Sequence, residues 1–334
     1  MFLLTHSNHK LGIYPLLYFF LSLQVIMSQK AVGKSKLEED KQIDYSEMIA
    51  LMVDKSRAEA VLTTLRPYKS KANVLGKFTI TMGKNPGDKL KTGDNKTPEG
   101  IYFPLKKINT KNINPQKYGN VAIPINYPNP YDLLQRKTGS GIWLHGAGDD
   151  NRLKNTRATE GCIAFYNSEM LKLTDWLQPE SSVIIIANDM SQVNDNRDVQ
   201  ELYEAVKAWE KTWKNKEIKD YMTFYADNFT ADSKNKQQYK EYKKRVFSLY
   251  DKIELEIKNI RIITHPKYSI TLMNQNFVGG NRYFSYGRKI LYWKRESSSS
   301  WKIVREIFHD KEYFNSLIFN DQKILSLKKN ISKK

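Results

Sequence analysis

Residues 141–165 read GIWLHGAGDDNRLKNTRATEGCIAF and contain Cys162, the sole cysteine of the chain. A lone cysteine is more often a small buried hydrophobe than a reagent, so its neighbours decide the reading. The apolar run ending at Leu144 gives way to glycines, which projects His145 from a sheet edge into a cleft, where an imidazole can act as a general base. His145 and Cys162 lie too far apart in sequence for a helical pairing, but the polar loop NRLKNTRATE can return one to the other. Gly161 permits close backbone approach, which makes the amides of Gly161 and Cys162 candidate oxyanion donors. The backbone carbonyl of Gly146 is the candidate group to hold the imidazole nitrogen that faces away from sulfur. Together these residues form the set a cysteine nucleophile requires.

The rest of the chain bounds that chemistry. Its 334 residues exceed the length at which one core usually stops growing, so two or more domains are expected. Apolar residues at 40% supply real cores, and 27% charged residues do not describe a disordered chain. A net charge of +18 favours an anionic partner, whether nucleic acid, lipid head groups or a wall polymer. Lys10 precedes an uncharged run from Leu11 to Ser28, which reads as an export signal or, uncleaved, as an inner-membrane anchor. Export to the periplasm removes nucleic acid as a partner, and no finger, helix-turn-helix or RNP-like motif is present. Histidines at 6, 9, 145, 265 and 309 lack metal-ligand spacing and there is no phosphate loop, so neither metal nor cofactor is expected.

Along the chain, residues 1–28 form the signal or anchor. Residues 29–68 carry Ile43, Met48, Ile49, Met52, Val53, Val61 and Leu65 at nearly helical spacing, which predicts a helical segment able to pack within the chain or form a homodimer. Residues 69–190 read as mainly β, with strands around KFTITMG, IYFPL, Val121 to Ile125, Gly141 to Leu144 and Val183 to Ala187, and one helix over NSEMLKLTDWLQ. Residues 191–198 are polar and read as a linker. Residues 199–312 begin with one or two aromatic-rich helices and continue with four strands separated by HP, GGN and SSSS turns, an α+β unit. No convergent acid, base or metal set is evident there. Residues 313–334 are a basic tail.

Residues 70–190 resemble the L,D-transpeptidase (YkuD-type) catalytic family. The signature is His145-Gly146 followed by Thr159-Glu160-Gly161-Cys162, with TPEGIYF, NYPNPYD and TGSGIWLHG upstream in support. The resemblance implies a β-sandwich in which Cys162 is the nucleophile and His145 its base. Two positions depart from the family pattern: Glu160 stands where a histidine is usual and Ala164 where an arginine is common. An anion beside the thiol would raise its pKa unless Arg152, Lys154 or Arg157 compensates. The order of parts is similar to that of the murein L,D-carboxypeptidases that determine cell shape, in which an N-terminal helical segment, a YkuD-type domain and an NTF2-like cone follow one another. That likeness implies removal of the terminal D-alanine from the tetrapeptide stems of peptidoglycan. The open alternatives are a transpeptidase with a peptide amine as acceptor and a non-catalytic wall-binding scaffold. Tyr127, Trp143, Arg152, Arg157, Thr159 and Glu160 are the candidate substrate-binding residues, the arginines because a guanidinium matches a carboxylate.

Overall fold

The computed structural model describes residues 48–65, 73–179, 181–193, 196–280, 283–297 and 300–309. The expected signal, most of the expected helical segment and the basic tail lie outside them. The first domain contains β1 (Met48–Asp54), β2 (Glu59–Leu65), β3 (Val74–Thr79), β4 (Gly100–Tyr102), β5 (Ile108–Asn109), α1 (Pro115–Tyr118), β6 (Val121–Pro124), α2 (Pro130–Leu134), β7 (Trp143–Gly146), β8 (Ile163–Phe165), α3 (Asn167–Trp176) and β9 (Ser182–Ala187). The second contains α4 (Asn196–Lys214), α5 (Ile218–Thr223), β10 (Tyr225–Ala231), β11 (Lys234–Asn235), α6 (Lys236–Leu249), β12 (Ile253–Ile263), β13 (Ser269–Gly279), β14 (Tyr283–Ser297) and β15 (Ser300–His309).

Two sheets, ordered β3-β2-β1-β9-β4 and β5-β6-β7-β8, enclose the core of the first domain. β1 shows why its sequence misleads. The helix expected across residues 29–68 is replaced between Met48 and Leu65 by two antiparallel strands, with β1 also parallel to β9. Ile49, Leu51 and Val53 point into the sandwich, whereas Met48 and Ala50 join a second core shared with the C-terminal domain. A strand buried on both faces reads as a continuous apolar run, and that run matches helical spacing as well as strand spacing.

The second domain is one six-stranded sheet, β11-β10-β15-β14-β13-β12. Leu291 and Trp293 face the helices α4 to α6, while Ile290 and Tyr292 face the first domain. The segment read as a linker is no free tether. It contains a 3-10 turn at Met190–Gln192, buries Val193 in the shared core and enters α4 at Asn196.

The interface has a polar centre. The backbone N–H of Ile101, on edge strand β4, donates to Tyr268 Oη at 2.7 Å, and Tyr268 Oη donates back to the Ile101 carbonyl at 3.0 Å. Asn129 Nδ2 also donates to Tyr268 Oη, at 2.6 Å. Gly100 has φ +155°, and a Cβ there would lie 2.8 Å from Tyr268 Oη, so the glycine of TPEG admits the tyrosine from the other domain. Tyr268→Phe strands a buried amide and weakens the carbonyl's satisfaction. The expected loss is about 2–3 kcal/mol in denaturant unfolding, and an unchanged midpoint would mean the hydroxyl holds nothing together.

Candidate active site

β7 is a four-residue strand between β6 and β8, with His145 opposite Ala122 on one side and Ala164 on the other. Cys162 stands two residues before Ala164. Side chains two apart along a strand share a face, so the register directs Cys162 to the face of β7 that carries Trp143 and His145. Cys162 is half-buried and its Sγ lies 3.5 Å from the Gly141 carbonyl.

His145 is buried, and its Nδ1 lies 2.6 Å from the Gly146 carbonyl oxygen. A carbonyl can only accept, so Nδ1 carries the proton and Nε2 keeps its lone pair. The Tyr118 ring packs edge-on against the imidazole, 5.1 Å between centroids. Burial lowers the His145 pKa to about 4, against the opposing effect of the Gly146 carbonyl, and Arg152 and Lys117 add to the depression. Burial pushes the Cys162 thiol up, while the Trp143 amide and the cations Lys117 and Arg152 pull the other way. The resting pair is therefore a neutral thiol and a neutral imidazole at neutral pH.

The loop bearing Cys162 is fixed by threonines. Thr159 Oγ1 donates to the Cys162 carbonyl at 2.7 Å and accepts from the Gly161 amide at 3.1 Å. Thr97 Oγ1 donates to the Gly161 carbonyl at 3.0 Å and accepts from the Gly83 amide at 2.9 Å. Gly161 has φ +127°, and a Cβ there would meet the Lys96 carbonyl oxygen at 2.7 Å. No other residue fits that peptide without moving it. Because the Gly161 amide is already bonded to Thr159, it is not a free oxyanion donor as expected, which leaves the Cys162 amide of the pair.

Several expected substrate contacts have other occupations. Tyr127 lies in the sandwich core with its hydroxyl on the carbonyls of Lys89 and Thr138, and Thr159 is buried in the loop described above. Arg152 spends three N–H groups on the carbonyls of Lys117, Ala147 and Ala158. It ties α1, the end of β7 and the Cys162 loop together. Arg157 reaches the Gly83 carbonyl at 3.4 Å. Trp143 is half-buried beside Tyr118, 5.1 Å between ring centroids. Glu160 is exposed and pairs with Lys117 at 3.0 Å. Hydrogen bonding from Lys117 holds its carboxyl below the usual range, and Lys117 joins Arg152, one of the three cations expected to compensate, in opposing the rise of the thiol pKa.

Sequence reasoning missed Lys117, and it noted Thr97 only as the first residue of the TPEGIYF motif, without its contact to the Cys162 loop. The cone expected of the C-terminal domain encloses a cavity of about 390 Å³, and the sequence reading missed that Lys243, Lys289 and Glu306 converge on it. Lys289 Nζ lies 2.5 Å from Glu306 Oε1, and Lys243 Nζ sits 3.7 Å from the centroid of the Trp213 ring. Burial lowers the Lys243 pKa to about 7. Among the described residues no cluster of His, Cys, Asp or Glu is arranged to hold a metal, and no helix is long and apolar enough to cross a membrane.

Residues 50–185 match the model of the L,D-transpeptidase catalytic domain, YkuD, and residues 201–307 that of the Cds6 C-terminal NTF2-like domain. Among solved structures, Bd1075 of Bdellovibrio bacteriovorus is 28% identical with a TM-score of 0.69, the match covering 81% of this chain and 95% of that one. The helical cell shape determining protein Pgp2 of Campylobacter jejuni is 25% identical with a TM-score of 0.64, covering 78% of this chain and 92% of that one. A mutant of Pgp2 gives 25% identity and a TM-score of 0.67 over 78% and 91%. No curated protein matches the chain significantly.

Proposed function

We propose that this chain, which carries a YkuD-type L,D-transpeptidase catalytic domain followed by an NTF2-like domain, is an exported peptidoglycan-modifying cysteine hydrolase with a role in cell shape. The reaction we assign is that of an L,D-carboxypeptidase, which converts murein tetrapeptide stems to tripeptides. The observation that carries the reading is the Nδ1 contact of His145 with the Gly146 carbonyl, because it leaves Nε2 as a base on the face to which the register directs Cys162. The near full-length likeness to a protein that determines helical cell shape supports the biological role.

In this mechanism His145 Nε2 takes the Sγ proton as sulfur attacks the carbonyl between meso-diaminopimelate and D-alanine. Both groups rest neutral, so proton transfer accompanies attack rather than preceding it. The Cys162 amide faces the developing oxyanion. The tetrahedral adduct collapses, the protonated His145 gives its proton to the departing amine, and D-alanine leaves. Water, deprotonated by His145, then attacks the thioester, which releases the tripeptide carboxylate and restores the thiol.

The acyl acceptor separates this reading from transpeptidation. Purified protein incubated with disaccharide tetrapeptides should release D-alanine and accumulate tripeptide, followed by liquid chromatography. Accumulation of 3,3-cross-linked dimers without tripeptide would identify an amine acceptor and overturn the assignment.

A further inference from the structure

The sequence HPKY at residues 265–268 looks like an ordinary turn between strands, yet three of its four residues bond to the first domain. His265 is buried, accepts from the Lys267 amide through Nδ1 at 3.2 Å and reaches the Ile186 carbonyl through Nε2 at 3.1 Å. Lys267 then extends along the first domain and pairs with Asp88 at 2.7 Å and with Glu99 at 2.8 Å.

Both carboxylates belong to the long loop between β3 and β4, and they are cross-braced. Asp88 Oδ1 accepts from the Glu99 amide at 2.8 Å. Lys55 Nζ donates to Glu99 Oε1 and to the carbonyls of Gly87 and Thr97. The same loop supplies Thr97, whose hydroxyl holds the Gly161 carbonyl, and the Lys96 carbonyl against which Gly161 packs. A continuous series of polar contacts therefore runs from Lys267 through Asp88 and Glu99, then Lys55, to Thr97 and the peptide next to Cys162.

We propose that Lys267 is a positioning residue for the nucleophile: the C-terminal domain sets the geometry of the Gly161–Cys162 peptide through the 83–99 loop. This inference rests on the assignment of Cys162 as nucleophile. Adhesion between the domains does not need Lys267, because the shared apolar core and the Tyr268 hydroxyl already provide it. The Lys267 side chain is partly exposed, and each of its carboxylate partners keeps a second cation without it, Lys137 at Asp88 and Lys55 at Glu99, so no buried charge is left unpaired when Lys267 is removed. A displacement of about 1 Å at a reacting group, by contrast, costs on the order of 100-fold in rate.

The test uses the full chain and two readouts: tetrapeptide turnover, and the rate at which iodoacetamide alkylates Cys162, unambiguous because the chain has no other thiol. Lys267→Met should lower kcat about tenfold with KM unchanged, and should speed alkylation as the loop loosens around the sulfur. Its melting temperature should stay within about 2 °C of the parent, because Lys137 and Lys55 still pair with the two carboxylates. Lys267→Arg should restore both rates. Thr97→Val should reproduce the Lys267→Met effects, and Lys267→Met should add nothing further in that background, since both changes break one path. Parental kcat and alkylation rate in Lys267→Met, or losses that multiply in the double variant, would overturn the proposal. If Cys162→Ala retains turnover, the fault lies instead with the assignment of the nucleophile.

Discussion

Under the proposed reaction, Cys162→Ala should lose tripeptide formation by on the order of 10⁴-fold or more, because removing a covalent nucleophile leaves only binding and oxyanion stabilisation to act on the amide. No second cysteine exists to substitute. The fold should survive the change. The Cys162 loop is held by Thr159, Thr97 and the backbone of Gly161 rather than by the sulfur, which makes a long contact to the Gly141 carbonyl. An exchange of one small side chain for another in such a place costs about 1 kcal/mol. Muropeptide analysis checks the activity, and thermal unfolding checks that the variant is folded. Expressed in a strain lacking the parent protein, Cys162→Ala should leave the tetrapeptide fraction as high as in that strain. Wall composition indistinguishable from that given by the parent protein would favour the scaffold reading, in which this domain binds murein without cutting it.

The centre of the candidate site has a signature in the sequence because its elements are local. His145 and Gly146 are adjacent, as are Gly161 and Cys162, and each pair carries its own constraint: a carbonyl at one, a positive φ at the other. The surroundings are assembled from remote segments, which no local pattern announces. Lys117 reaches Glu160 from α1, and Thr97 reaches Gly161 from the loop before β4. Secondary structure failed where burial broke periodicity. β1 is covered on both faces and so mimics a helical stripe. α6 went unnoticed because its buried face is Tyr239, Lys243 and Phe247, and a lysine in the middle of the stripe erases the apolar repeat. That lysine is tolerated because aromatic rings surround it and Glu306 lies near enough to oppose its loss of charge. The turn at His265 was legible as a turn, but nothing in four residues shows that they enter another domain.

His145→Gln should lower kcat by about 10²–10⁴-fold, the range for loss of a positioned general base, with KM little changed because the imidazole is buried rather than on the peptide-binding surface. The pH profile tells more than the loss itself. With the His145 pKa lowered to about 4, neutral imidazole is present throughout the range above that value, so kcat/KM of the parent protein should fall tenfold per pH unit only below about 4. Cys162 alkylation should keep rising toward alkaline pH, since burial pushes the thiol up. A preformed thiolate–imidazolium pair gives the opposite pattern, a fast alkylation plateau through neutral pH and an acid limb set by the thiol. Stability must be followed in parallel. A histidine whose pKa is lower in the folded than in the unfolded chain contributes stability that is complete above the unfolded value of 6.5 and is lost as pH falls from there toward about 4. His265 is depressed in the same way, again chiefly by burial. Acid unfolding therefore begins in a window above the catalytic limb, and His145→Gln should narrow the loss of stability between pH 7 and pH 4.5 by on the order of 2 kcal/mol. An alkylation plateau at neutral pH, or an acid limb of kcat/KM near 6.5 in protein still folded there, would refute the neutral resting pair.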